Sequence, residues 1–156
     1  MAPRLLDVDS LHLTLCFLGS RPVDELDALA DALRACPPQV CELQVGAPVW
    51  LPPRRPRALA VEIHDRDRGL ERLRDDVGEA LRQVSGWEPE HRRFRPHITL
   101  ARMSAGAGEP PGALTLPATP QLSFTARVTV LYRSWLAPEG ASYEAIATSQ
   151  PAPAEA

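Results

Sequence analysis

The sequence predicts an α+β fold, on three observations. Two stretches repeat apolar residues at three- and four-residue steps, as amphipathic helices do. Six others alternate apolar and polar side chains, as half-buried strands do. Their order along the chain is β-α-β-β-α-β, followed by two strands that read as a hairpin.

The first strand is "LHLTLCFLG", Leu11 to Gly19. Leu11, Leu13, Leu15 and Phe17 take one face, and His12, Thr14 and Cys16 the other. "GSRP" then punctuates the chain, and Ser20 or Arg21 precedes a helix with Pro22 in its first turn. Leu26, Leu29, Ala30 and Leu33 form that helix's apolar stripe, and Pro37 and Pro38 stop it. "CELQVGAPVWL" and "RALAVEIH" are strands joined by the turn "PPRRP". Leu70, Leu73, Val77, Leu81 and Val84 mark the second helix, which Gly86 ends. "RFRPHITLAR", Arg93 to Arg102, is the next strand, with His97 and Thr99 on one face and Ile98 and Leu100 on the other. Residues 103–120 are a Gly/Pro-rich loop. "LSFTARVTVLYRSWL" and "SYEAIAT" pair through the turn "APEG". The reading is one domain, 1–149, with a disordered tail over 150–156.

Bulk properties narrow the function classes. In a chain of 156 residues, 44% apolar and 24% charged residues suit a globular protein that buries one core or two small ones. A net charge of −3 gives no global attraction to nucleic acid or anionic membrane, so any affinity for phosphate must be local. Three cysteines, Cys16, Cys36 and Cys41, do not make a disulfide framework, and nothing near them completes a zinc set. The N-terminal stretch "MAPRLLDVDS" has no apolar run of signal or membrane type, and a cytoplasmic protein is the expectation.

Two of the four histidines stand in matching contexts, each followed by an apolar residue, a threonine and a leucine. One such pattern is commonly a solvated strand face; two, brought together from distant parts of the chain, suit a paired acid and base. One imidazole takes a proton from water while the other gives one to a leaving oxygen. Threonine hydroxyls two residues on can donate to a phosphoryl oxygen that gains charge. No carboxylate accompanies the pattern and no Ser or Cys has a clear base partner, so a nucleophilic triad is poorly supported. Alternating His and Thr also make a poor metal site, and none is expected. If the two halves of the chain pack side by side, one motif from each lines a common groove.

With "LHLTLCFLG", "RFRPHITLAR", "RRPRALAVEI" and "VTVLYRSWLAPEGASYEAI", the chain resembles the 2H phosphoesterases. Its nearest likeness is to the bacterial RNA 2′,3′-cyclic phosphodiesterases, also called 2′-5′ RNA ligases. The resemblance spans roughly residues 9–147. It implies a bilobal fold of two antiparallel sheets with helices outside and the motifs facing a central cleft. It implies opening of a terminal 2′,3′-cyclic phosphate on RNA or a nucleotide to a 2′-phosphate. A monomer with no cofactor, no metal and no membrane association is expected. His12 would protonate the departing 3′ oxygen, His97 would activate water, and Thr14 and Thr99 would hold the phosphate. Family members usually carry a further strand and helix before the first motif, which would leave a sheet edge short of a strand here. A non-catalytic binder of such ends and a 2′-5′ ligase are the other readings.

The supporting residues are weaker signals. Arg95 shares the face of His97, and a substrate contact is expected of it. Arg102 falls on the opposite face of a regular strand, yet the resemblance makes it a phosphate contact, which requires a bulge or a strand end to turn it inward. Arg92 and Arg93 read equally as RNA attraction or solvated edge, and Arg54, Arg55 and Arg57 as a solubilising turn. Phe17, Tyr132 and Trp135 are expected in the core, Cys16 as a packing residue on the motif's face, and His64 and His91 in solvent.

Overall fold

The structure is a computed structural model of the chain, and it describes residues 3–53, 55–103, 116–137 and 140–151. Its elements are β1 (Arg4–Leu5), α1 (Leu26–Ala35), β2 (Cys41–Leu51), β3 (Ala58–His64), α2 (Gly69–Val84), β4 (His97–Arg102), β5 (Ser123–Ala126), β6 (Thr129–Ala137) and β7 (Gly140–Ser149), with single 3-10 turns at Val8–Ser10 and Val23–Glu25. The described residues adopt the predicted α+β class, with two antiparallel sheets and two helices. The chain divides into two compact units.

The first unit takes in Met1–Thr14, Leu43–His64 and Arg95–Phe124. It is built on a five-stranded sheet in the order β1-β4-β3-β2-β5. β3 is its spine: Val61 and Ile63 are buried on one face, and Ala58 and Ala60 on the other. Two irregularities interrupt the ladders. One residue is extra in β2 between Val45 and Pro48, and one in β4 where Leu59↔Ala101 gives way to Ala60↔Thr99.

The second unit takes in Leu15–Glu42, Asp65–Phe94 and Thr125–Ala156. Its core joins Leu29, Ala30 and Leu33 of α1 to Leu73, Val77 and Leu81 of α2, with Trp87 and Ala147 of the β6–β7 hairpin's β7 closing it. These are the predicted helical stripes, except that Leu26 is half-buried, Leu70 is buried outside this cluster and Val84 is exposed. The Asp65 carboxylate starts α2 by accepting from the Gly69 and Leu70 amides at 3.0 and 2.8 Å. Ser85, not Gly86, ends it: the Ser85 hydroxyl donates to the Leu81 carbonyl at 2.7 Å. The hairpin is as predicted, with Ala137 across from Gly140, while the strand read as "LSFTARVTVLYRSWL" breaks into β5 and β6.

Other expectations are corrected. The first motif is not a regular strand; its one ladder contact is the antiparallel bridge Leu13↔Ile98. A short strand not foreseen, β1, lies on the outer edge of β4. Phe17, Tyr132 and Trp135 are 68%, 44% and 48% exposed rather than buried, because the core is filled by aliphatic side chains and Trp87. Of the loop 103–120, residues 104–115 lie outside the described residues, as does the tail beyond 151. Among the described residues no helix is long and apolar enough to cross a membrane.

Candidate active site

Both His-Thr motifs belong to the first unit, so the halves drawn from element order, one motif to each, do not correspond to the units. The Leu13↔Ile98 bridge sets their relation. Extending the antiparallel register of this bridge by one residue each way sets His12 across from Thr99 and Thr14 across from His97, with all four on the face opposite to Leu13 and Ile98. Directly opposed side chains in such a ladder lie about 5 Å apart at Cβ, and diagonal ones about 7 Å. The two imidazoles are thus diagonal, with a hydroxyl beside each.

Each imidazole is held in the same way. His12 Nδ1 lies 2.8 Å from the carbonyl oxygen of Ser10, and His97 Nδ1 lies 2.8 Å from that of Arg95. A carbonyl only accepts, so Nδ1 donates in both, and in the neutral ring Nε2 is then the acceptor nitrogen. Different local devices aim the two carbonyls. Ser10 ends the 3-10 turn, which the Asp7 carboxylate fixes by accepting from the Asp9 amide at 3.1 Å. Arg95 precedes Pro96, which biases it to extended backbone, and Pro96 is pinned where its carbonyl accepts from the Ile63 amide at 3.0 Å. Nothing in the H-x-T spacing announces these anchors.

The bulge in β4 places Arg102. β3 and β4 pair Glu62↔His97 and Ala60↔Thr99, then, after the extra residue, Ala58↔Arg102. Ala58, Ala60 and Glu62 share one face of β3, so Arg102 shares the face of His97 and Thr99. A regular strand would have turned it away. β1 extends the same row, with Arg4 directly across from Arg102.

Arg95 is the weakest of the predicted contacts. Its guanidinium donates to the Glu62 carboxylate at 3.2 Å, and both groups are partly solvated. Glu62, which sequence reasoning passed over, stands across from His97 and brings a negative charge to that end of the face. Its signal was only its place in an apolar strand. Arg92 and Arg93 lie in the second unit, where Arg92 pairs with Glu90 at 3.0 Å. Arg55 and Arg57 are exposed, and Arg54 is outside the described residues. His64 and His91 are exposed as expected.

Cys16 also belongs to the second unit and not to the motif's face. Its sulfur faces α2, 3.9 Å from the Arg74 carbonyl. Burial pushes its thiol up to about 11 despite Arg74 nearby, which keeps it protonated and unreactive at neutral pH. Among the described residues no three His, Cys, Asp or Glu side chains gather as a ligand set.

A family model for the 2′-5′ RNA ligase superfamily matches residues 3–148, and both His-Thr motifs fall inside it. The chain belongs to this superfamily. Among the superfamily's curated members, the RNA 2′,3′-cyclic phosphodiesterase of Thermus thermophilus is 34% identical over 145 residues, covering 85% of this chain and 68% of that one. The RNA 2′,3′-cyclic phosphodiesterase of Aeropyrum pernix is 30% identical over 115 residues, covering 73% of this chain; the chain spans 61% of that relative's length. Solved superfamily structures share the fold. E. coli LigT in its apo form matches with a TM-score of 0.72 at 26% identity, over 96% of this chain and 82% of that one. LigT complexed with 3′-AMP matches at 0.70 and 28% identity, over 94% and 80%.

Proposed function

We propose that this chain hydrolyses 2′,3′-cyclic phosphate ends of RNA or nucleotides to 2′-phosphates, with His97 as base and His12 as acid and no metal ion. The observation that carries the reading is the shared anchoring of the two imidazoles, each with Nδ1 on the carbonyl two residues before it and each one residue before a partner in the Leu13↔Ile98 bridge. The names of the relatives support the substrate class.

In the reaction, His97 Nε2 takes a proton from water as the water oxygen bonds to phosphorus. The bond from phosphorus to the 3′ oxygen breaks, and that oxygen takes the proton from His12 Nε2. The product carries a 2′-phosphate and a free 3′-hydroxyl, and the two histidines end with their protonation states exchanged. Thr14 and Thr99 donate to the non-bridging oxygens, whose charge grows on the way to the transition state. Arg102, turned onto this face by the bulge, balances that charge. The Arg95 guanidinium is already engaged by Glu62, and its part is to supply the carbonyl that holds His97.

The test is turnover of a 2′,3′-cyclic nucleotide by protein treated with EDTA. Undiminished hydrolysis is expected. Loss of activity that zinc or magnesium restores would move the site to metal-assisted chemistry.

A further inference from the structure

The row Arg4–Arg102–Ala58 crosses three strands on the face that carries His97 and Thr99. It sets two guanidinium side chains directly opposite each other on an antiparallel pair. Like charges so placed repel, and sheets ordinarily avoid them. Among the described residues no carboxylate relieves the repulsion: Arg21, Arg34, Arg68, Arg74, Arg82, Arg92 and Arg95 each form an ion pair, and Arg4 and Arg102 form none. The neighbouring β3 positions of this face are Ala58 and Ala60, which carry no polar group for them either. Both arginines are exposed.

A pair of unrelieved cations at one end of a phosphate-handling face calls for an anion. The cyclic phosphate carries a single negative charge and in the proposed mechanism already has two hydroxyls and Arg102. Arg4 is a second cation, and it has charge to spare for a second phosphate. From Thr99 to Arg102 the strand advances by about 10 Å, less what the bulge takes up. The phosphodiester next to the reacting end of an RNA chain falls within that reach, and a lone cyclic nucleotide has none to offer.

We propose that Arg4, with Arg102, clamps the internucleotide phosphate adjoining the cyclic end, and so selects RNA termini over cyclic mononucleotides. The inference rests on the hydrolytic reading of the site. It adds a specificity residue that the doubled motif does not contain.

The experiment compares kcat/KM of the parent, Arg4→Gln and Arg4→Lys on a 2′,3′-cyclic mononucleotide and on a trinucleotide with the same end, at two salt concentrations. The parent should prefer the trinucleotide by about tenfold or more at low salt. Arg4→Gln should cut that preference several-fold and lower the salt slope on the trinucleotide by about 0.7, the value for one phosphate contact to a single strand. Arg4→Lys should restore part of it. No preference in the parent, or equal loss on both substrates in Arg4→Gln, overturns the clamp. If the parent cleaves neither substrate, the hydrolytic reading falls and the clamp is judged by binding alone. Fluorescence anisotropy with a labelled trinucleotide ending in a 2′-phosphate then decides: weaker binding by Arg4→Gln supports the clamp, and unchanged binding overturns it.

Discussion

Asparagine at position 97 separates the two jobs of the imidazole. Its amide N–H occupies nearly the place of Nδ1–H and can keep the 2.8 Å bond to the Arg95 carbonyl, but it has no counterpart of Nε2. His97→Asn therefore removes the proposed proton transfer and keeps the anchor. General base catalysis contributes about 10²- to 10⁴-fold, so the barrier should rise by about 3 to 5 kcal/mol. Stability should move little, because the one hydrogen bond at stake is worth about 1 kcal/mol and is retained. His12→Asn should behave alike, through the Ser10 carbonyl at 2.8 Å. The assay is kcat on a 2′,3′-cyclic nucleotide beside the melting temperature of each variant. If either asparagine variant turns over within tenfold of the parent, the paired-histidine reasoning is refuted.

Three further outcomes follow from particular contacts. Thr14→Val and Thr99→Val keep the β-branched shape but lose the donor, so each should lower kcat by about 10²- to 10³-fold while product affinity changes less; a loss confined to affinity would count against transition-state donation. Asp65→Ala leaves the Gly69 and Leu70 amides without their acceptor and should cost about 1 to 2 kcal/mol in urea unfolding, and an unchanged midpoint would show that the carboxylate does not hold α2. Cys16 is held neutral in the fold with its titration raised from 9.0 to about 11, so its contribution is complete below pH 9 and is lost as pH rises toward 11; the stability difference between the parent and Cys16→Ala should shrink over that window, and a flat difference would contradict it.

Much of the fold could be read from side-chain periodicity, because burial of one face of an element is a local pattern. Leu29, Ala30 and Leu33, and Leu73, Val77 and Leu81, are core residues as their spacing implies. The doubled motif likewise gave the four central residues of the candidate site. What periodicity does not carry is register. Whether His12 stands across from Thr99 depends on one bridge at Leu13, and the face that Arg102 takes depends on one extra residue in β4. Arg4, Glu62 and the Ser10 and Arg95 carbonyls reach the site through pairing between strands or through turns, and no spacing in the sequence marks them. The exposed Phe17, Tyr132 and Trp135 show the same limit from the other side: an aromatic in a strand-like run faces the core only if the pairing turns it there.

The most direct test of the account is the position of the phosphate in the product. Phosphorus NMR of a 2′,3′-cyclic nucleotide incubated with the parent protein in EDTA should show the cyclic resonance replaced by that of the 2′-phosphate alone, as expected if the 3′ oxygen leaves with a proton from His12. A 3′-phosphate, a mixture of the two, or an unchanged cyclic resonance would contradict it.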